Sequence, residues 1–516
     1  MRQSHLIISN AAGMWLSQAL AVIPPLILVP YLIKTIGEVG YGVYALTWSL
    51  VMSIDQLERS LQSGVVKYSA GFLTKGLTDE VNKVISSSFV YSIFLAIIAS
   101  IAVIVAAYFY NDTSGKVGIS LIVVGIMILF ILPLTPYIAI IQSKQRYYIN
   151  AFADTAAKYI TLLIVVTWFT VVRPSVEALI IITAIMLFFA RFVQVPIAYR
   201  LVPDLQNNLK LFNQKSFKLI FSFGAATVLA SACLAVNHTG VRWLMDYLAS
   251  TSFVAHLAII LMPIALLSQI IGAVTLTLMP AASGYEAQGN YKMIQELLIR
   301  SIRYTTILII AAFIAAFFLM RDVLIFWVGH NYAFLAPYAI ILFASAAFAQ
   351  TTSSAHHMLK GLGKLRAVVI IYLISLVVIP IGTILCIMLL YNNPYIAVTA
   401  GLSAGFIVCG IMQIFTCAKS AKADLKSLFQ RSYIQPIIVA VFVFFVAFGA
   451  YSIIEYASSL LRLLTACIAI AAFIICCYIF IATPDEKQQF SELMKIAKSK
   501  ATAVMVLSPP ESREML

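Results

Sequence analysis

Long apolar stretches separated by short polar connectors fill most of the chain. Fourteen of these stretches have about the 20 residues that an α-helix needs to cross a bilayer. They lie at roughly 11–33, 41–63, 84–108, 118–141, 151–172, 176–199, 219–245, 252–279, 301–320, 337–355, 367–391, 396–417, 435–455 and 461–482. A helix satisfies its own backbone hydrogen bonds in lipid. The pattern therefore predicts an all-α integral membrane protein with about fourteen transmembrane helices, numbered as segments 1 to 14.

The composition agrees with this prediction. Of the 516 residues, 62% are hydrophobic and 10% are charged, and the mean hydropathy is +0.98. Soluble domains are about 45–50% apolar and about 25% charged, so soluble, disordered and disulfide-stapled secreted classes are excluded. The seven cysteines lie in or beside apolar runs without a metal-like C-x-x-C pair, and we expect them to be small buried hydrophobes. We expect no metal and no cofactor.

The net charge of +14 is concentrated in alternate connectors. The connectors after segments 2, 4, 6, 8, 10 and 12 carry seventeen Lys and Arg residues, and the other connectors carry six. Positive residues accumulate on the cytoplasmic side, so we expect the first set and both termini to be cytoplasmic. The run at 11–33 is too long for the apolar core of a cleaved signal peptide and counts as a span. This placement explains the basic charge without nucleic acid as a partner.

Segments 1–6 (the first block) and segments 7–12 (the second block) have nearly equal lengths and the same rhythm of connectors. Residues 9–41 resemble 222–253, and the basic turn at 142–146 corresponds to 360–364. Parallel repeats are typical of transporters whose site lies between two bundles. We therefore divide the chain into a first six-helix bundle (1–205), a second (206–420), two additional transmembrane helices (421–482) and a cytoplasmic tail with an interfacial helix (483–516).

Charged residues inside the predicted spans form the candidate site. Each costs at least a few kcal/mol in lipid and requires a partner or a function. They are Asp55, Glu58, Arg59 and Lys67 in and just after segment 2, Asp154 and Lys158 in segment 5, and Arg191 in segment 6. One explanation is static i,i+4 ion pairing within a helix, although Arg191 has no acid within four residues.

The other explanation is a cationic cavity. Arg59, Lys67, Lys158 and Arg191 would bind a phosphate group, because arginine contacts phosphate through a planar fork. Asp55, Glu58 and Asp154 would then be charge partners or groups for ion coupling.

Several motifs resemble the Wzx-type bacterial polysaccharide flippases of the MOP (multidrug/oligosaccharidyl-lipid/polysaccharide) exporter superfamily. They are Asn10, Trp15, the Pro24-Pro25 bend, Gly37-x-x-Gly40-Tyr41-Gly42-x-Tyr44 and Gln142-x-x-x-Arg146. The resemblance implies paired six-helix bundles and a flippase rather than an enzyme. Its substrate would be an undecaprenyl-diphosphate-linked oligosaccharide: an O-antigen, capsule or exopolysaccharide repeat unit. Alternating access would move this lipid to the outer leaflet of the bacterial cytoplasmic (inner) membrane. Implied partners are this lipid, membrane lipids, and polysaccharide polymerase and chain-length machinery.

Three other functions stay open. A MATE-type cation-coupled multidrug exporter would use the membrane acids Asp55, Glu58 and Asp154. A lipid II flippase also has fourteen spans, but the basic residues expected on its first helix are missing from 11–33. A membrane glycosyltransferase would need a sizeable outer loop, and the longest, 321–336, has 16 residues.

One sequence match to an enzyme motif lies inside segment 12. Gly401-x-Ser403-x-Gly405 has the spacing of a nucleophile elbow, which requires a strand-turn-helix setting. Within a membrane helix, small residues four apart permit close packing instead, and we expect that role here.

Overall fold

The computed structural model describes residues 13–14, 16–110, 116–275, 278–389, 393–454, 459–484 and 486–488. Helices connected by short turns make up these ranges, which contain no β-strand. The main helices are Ile23–Thr74, Thr78–Phe109, Lys116–Ile131, Thr135–Ser143, Tyr147–Val171, Val176–Phe192, Gln194–Leu201, Gln214–Leu248, Thr251–Thr275, Leu278–Ala287, Tyr291–Trp327, Ala336–Thr351, Ser353–Gly361, Leu365–Leu389, Pro394–Ser420, Leu425–Phe429, Gln435–Ile454 and Ser459–Phe480.

Twelve of the described helices are long and apolar enough to cross a membrane. One of them, Leu16–Gln56, contains segment 1 and most of segment 2 and is interrupted at Gly37, where φ and ψ are not helical. Segment 7 falls on the 35-residue helix Gln214–Leu248, which is additional to the twelve. The predicted all-α membrane fold is confirmed. Of the predicted tail, only 483–484 and 486–488 are described, so its interfacial helix lies outside the described residues.

Prolines and glycine interrupt the helices of the first block. A turn at Val22 precedes Pro24, and proline is tolerated at the start of a helix because its missing N–H would be unpaired there. Gly37 separates segments 1 and 2 with φ 76°, a left-handed conformation that favours glycine. In segment 6, helix Val176–Phe192 ends four residues before Pro196, and the next helix begins at Gln194. This break, at Val193, lies two residues after Arg191.

Close packing explains the small residues of segment 12. A Cβ added at Gly401 would lie 2.3 Å from Thr383 Oγ1, and one added at Gly405 would lie 2.1 Å from Ile379 Cγ1. Segments 11 and 12 therefore approach at a distance that only glycine allows. The G-x-S-x-G sequence serves this packing.

The contacts group the chain into two compact units. One comprises 1–302 and 320–423, and the other comprises 303–319 and 424–516. In the second unit, segments 13 and 14 share an apolar core with the middle of helix Tyr291–Trp327, built around Phe318, Ala466 and Phe473. The two additional helices thus have a core of their own. The domain boundaries at 205 and 420 stay predictions.

Candidate substrate-binding site

Six charged side chains of segments 2, 5 and 6 meet in the first block. They are Asp55, Glu58, Arg59, Asp154, Lys158 and Arg191, and we call them the charge cluster. Segment 2 supplies three of them on one helix face, because residues three and four apart are neighbours on a helix. Segment 6 supplies Arg191 from the last turn before its break.

Arg191 is the centre of the charge cluster. Its Nη1 donates to Asp154 Oδ1 over 2.7 Å and its Nη2 to Asp55 Oδ1 over 3.1 Å. Its Nε lies 3.8 Å from Glu58 Oε1. The Arg191 side chain is 7% exposed. This guanidinium is therefore engaged by three carboxylates of the protein rather than open to a ligand.

Two amides extend the charge cluster toward segment 4. Gln62 Nε2 donates to Glu58 Oε1 over 3.1 Å. Gln142 Nε2 donates to Gln62 Oε1 over 3.2 Å. Gln142 is the first residue of the Gln142-x-x-x-Arg146 motif, so this motif connects the end of segment 4 to the buried Glu58 through Gln62. Segments 2, 4, 5 and 6 thus share one polar network.

Arg59 and Lys158 are the accessible cations of the charge cluster. Arg59 Nε donates to Asp55 Oδ2 over 2.9 Å, its side chain is 66% exposed, and its two Nη groups have no hydrogen-bond partner among the described residues. Lys158 is exposed and has no carboxylate within 4 Å in the described part of the chain, although it interacts electrostatically with Asp154. Both side chains are exposed, so their donors are accessible to a ligand.

The positive and negative charges of the charge cluster are equal in number. Three carboxylates face three cations, so the fully ionised cluster has no net charge. Lys67 lies eight residues beyond Arg59, about 12 Å further along the helix axis, with its ammonium 5.5 Å from the Tyr68 ring centroid. The structure therefore brings three of the four predicted cations together and places Lys67 two turns away.

Sequence reasoning missed a buried ion pair in the second unit. Arg303 and Tyr304 both donate to Glu486 Oε1, and the Arg303 and Glu486 side chains are almost fully buried. Thr483 N–H donates to Glu486 Oε2 over 2.8 Å, and Glu486 N–H donates to Thr483 Oγ1 over 3.4 Å. This is a capping box, and the Thr-x-x-Glu spacing was its signal in the sequence.

The protonation of Glu486 reflects these contacts. Burial raises its pKa, but the hydrogen bonds from Tyr304 and Thr483 and the charge of Arg303 outweigh burial, so the pKa lies below its ordinary value. Glu486 is therefore a charged anchor for Arg303.

Comparisons with known proteins give a weak sequence relative. No family model matches the chain. The uncharacterized membrane protein EpsK of Bacillus subtilis (strain 168) is 19% identical over 329 residues, which cover 61% of this chain and 64% of EpsK. The chain thus spans slightly less than two thirds of that relative's length.

Solved structures show the fold more clearly. An inward-facing multidrug resistance MATE family transporter of the MOP superfamily matches with a TM-score of 0.66 and 13% identity, covering 80% of this chain and 96% of that transporter. The lipid II flippase MurJ in an inward closed conformation matches with a TM-score of 0.65 and 15% identity, covering 91% of this chain and 99% of MurJ. These matches show the fold: the chain folds like this MATE transporter and like MurJ.

The two matches differ in extent. Residues 421–516 form about a fifth of the 516-residue chain. The MATE match leaves about that much of the chain uncovered, whereas the MurJ match must include part of it. The MurJ match therefore covers more of this chain than the MATE match does.

The motif residues fall in two places. Asn10 and Trp15 lie outside the described residues. The glycines of Gly37-x-x-Gly40-Tyr41-Gly42 lie at the start of segment 2, at the opposite end of that segment from Lys67.

Proposed function

We propose that this protein is a flippase that moves an undecaprenyl-diphosphate-linked oligosaccharide from the inner to the outer leaflet of the bacterial cytoplasmic membrane by alternating access. One observation carries the proposal: Arg59 and Lys158 are the exposed cations of a charge-balanced cluster, and this cluster lies in a fold like that of MOP-superfamily transporters. A diphosphate does not cross hydrocarbon unaided, so its route must present positive charge in a polar cavity. The Arg59 fork and the Lys158 ammonium supply that charge.

The geometry gives the acids a role in release. Asp55 accepts from Arg59 through Oδ2 and from Arg191 through Oδ1. When phosphate oxygens replace Asp55 as the acceptor for Arg59, Asp55 keeps its contact with Arg191, so its negative charge stays compensated. Asp55 returns to Arg59 when the phosphate leaves. Arg191 acts here as a positioning residue that holds Asp55 and Asp154, and this exchange keeps binding reversible.

The larger extent of the MurJ match supports a lipid-linked substrate. The MATE match covers only about as much of this chain as its first twelve segments, and the MurJ match, to a lipid II flippase, extends further. A substrate with a long polyprenyl tail suits this larger fold. Lipid II carries the same diphosphate and tail, so the sugar is the variable that distinguishes the two flippase functions.

A cation-coupled multidrug exporter is the second candidate. The gathering of three carboxylates around Arg191 favours it, since membrane acids bind protons or cationic drugs. In that case export of a cation such as rhodamine 6G would follow a proton or sodium gradient and would require Asp55 or Asp154.

Transport by the purified protein in vesicles separates these functions. The probes are a fluorescent undecaprenyl-diphosphate disaccharide, lipid II and rhodamine 6G, each measured by its accessibility from outside the vesicle. We expect protein-dependent movement of the undecaprenyl-diphosphate disaccharide, faster than that of lipid II, and no gradient-driven movement of rhodamine 6G. Transport of rhodamine 6G without transport of either lipid would establish the exporter and overturn the proposal.

A further inference from the structure

A carboxylate of the first block is held by the second block at the end of the helices that carries few Lys and Arg residues. Glu38 follows Gly37 at the start of segment 2. Tyr332 Oη donates to Glu38 Oε1 over 2.9 Å. His256 Nε2 lies 3.6 Å from Glu38 Oε2. Tyr332 and His256 come from the connector before segment 10 and from segment 8, so this contact joins the two blocks at the end predicted to face outward.

An aromatic frame fixes the imidazole of this contact. His256 Nδ1 lies 2.7 Å from Tyr395 Oη. The Tyr395 ring lies 4.6 Å from the Phe253 ring and stacks on Tyr338 at 5.2 Å between centroids. Among the described residues, Glu38 is the one charged group that contacts His256, and Tyr332 and Tyr395 are the other titratable groups that face it. We call Glu38, His256, Tyr332 and Tyr395 the outer latch.

The glycine motif lies beside the outer latch and contains a backbone break. Gly37, one residue before Glu38, has φ 76° and ψ 177° and breaks the helix between segments 1 and 2. About one turn later, a Cβ added at Gly42 would lie 2.1 Å from the carbonyl oxygen of Thr251, at the start of segment 8. One short stretch therefore contains a backbone break, the latch carboxylate and a close approach of segments 2 and 8.

We propose that the outer latch is a proton-sensitive closure of the transport route. A protonated His256 holds Glu38 and keeps the two blocks together at this end, and loss of the proton lets segment 2 turn at Gly37. The inference goes beyond the proposed function, because it concerns when this end opens and not which substrate passes.

The direction of the pH effect follows from the number of N–H donors on the imidazole ring in each protonation state. Histidine changes charge between about pH 5 and 8 in many proteins. When protonated, both nitrogens donate, one toward Tyr395 Oη and one toward the Glu38 carboxylate, and an ion pair forms. When neutral, the ring cannot donate from both nitrogens and the ion pair is lost. Acid therefore favours the closed end and alkali the open end, by at most about fivefold for an ion pair with a partly exposed carboxylate.

Distance measurements between spin labels test the closure without any substrate. The full chain, with its natural cysteines replaced, carries Arg173→Cys and Tyr247→Cys, two exposed positions near the outer ends of segments 6 and 7. Electron-resonance distance distributions in lipid nanodiscs are compared at pH 5.5 and pH 8.0. We expect the long-distance population to increase with pH, by up to about fivefold.

Variants assign the effect to the latch. His256→Gln and Glu38→Gln should each abolish the pH dependence. Because the Glu38 side chain is partly exposed, we expect Glu38→Gln to fold normally. His330→Gln, an exposed histidine in the same connector as Tyr332, should retain it. A wild-type distribution that does not change with pH, or a pH dependence that survives both His256→Gln and Glu38→Gln, would overturn the proposal.

Discussion

Replacing Arg191 should lower the stability of the protein much more than replacing Arg59, because the two arginines differ in burial and in partners. Arg191→Gln removes the cation that compensates Asp55, Glu58 and Asp154, and the Arg191 and Glu58 side chains are 7% and 3% exposed. Removal of one partner of a buried ion pair costs about 3–5 kcal/mol. Since folded proteins are stable by only about 5–15 kcal/mol, we expect Arg191→Gln to lower the melting temperature and the yield of folded protein strongly.

Arg59→Gln should instead leave the fold nearly intact. The Arg59 side chain is 66% exposed, and exposed ion pairs contribute about 0.2–1 kcal/mol. Its partner Asp55 keeps a 3.1 Å contact with Arg191. Stability should therefore change by less than about 1 kcal/mol, while lipid transport falls.

Thermal unfolding in detergent, followed by intrinsic fluorescence, measures both variants. A second substitution tests the cause of the Arg191 effect: Asp154→Asn in the Arg191→Gln background removes one uncompensated carboxylate and should recover part of the lost stability. Wild-type stability of Arg191→Gln, or no recovery with Asp154→Asn, would refute the account of the charge cluster.

Three further predictions concern other parts of the molecule. Gly42→Ala should force segments 2 and 8 apart, because its Cβ would meet Thr251 O at 2.1 Å, and should increase the open population seen by spin-label distances, whereas Gly71→Ala, with nothing within 4 Å, should not. Because the pKa of Glu486 is lowered in the folded protein, its contribution to stability is complete above its ordinary pKa of about 4.3 and is lost as the pH falls further. Melting temperatures of wild type and Glu486→Gln should therefore converge in acid, and a constant difference would contradict this. Reporter fusions should be cytoplasmic after Asn207 and external after Asn393, and a cytoplasmic signal at Asn393 would contradict the predicted orientation.

The fold class could be predicted from the sequence because it depends on the length of apolar runs. A span of about 20 apolar residues can only be a helix in lipid, and the connectors end each run. The interruptions at Val22 and at Val193 were also predictable in kind, because Pro24, Pro25 and Pro196 lack the backbone donor that a continuous helix uses. The left-handed conformation of Gly37 between segments 1 and 2 was not predictable, since a glycine in a connector also suits an ordinary turn.

The charge cluster was only partly predictable. Its members could be named because a charge in a membrane helix is costly, but sequence spacing relates residues within one helix only. Asp55–Arg59 has i,i+4 spacing and pairs as expected. Asp154 instead pairs with Arg191, 37 residues away, and this long-range contact is what turns Arg191 from an isolated cation into a neutralised one.

Two other contacts escaped prediction for different reasons. Arg303 lies near the beginning of segment 9, where a basic residue is unremarkable, and its partner Glu486 is 183 residues away. Glu38 follows the glycine of a connector, where acids are common. The contact of Glu38 with His256 and Tyr332 depends on how the two blocks approach each other, which no local pattern encodes.

The central claim is that open cations of the charge cluster receive the diphosphate of a lipid-linked oligosaccharide. The most direct measurement is the initial rate of undecaprenyl-diphosphate disaccharide movement in vesicles by Arg59→Gln and by Arg300→Gln. Arg300 is a matched control, because it also forms an exposed i,i+4 pair, with Glu296. The account predicts a rate at least about tenfold lower for Arg59→Gln, equivalent to losing one charge-assisted contact of about 1.5–3 kcal/mol, and a wild-type rate for Arg300→Gln. Equal rates for the two variants, with both proteins folded, would contradict it.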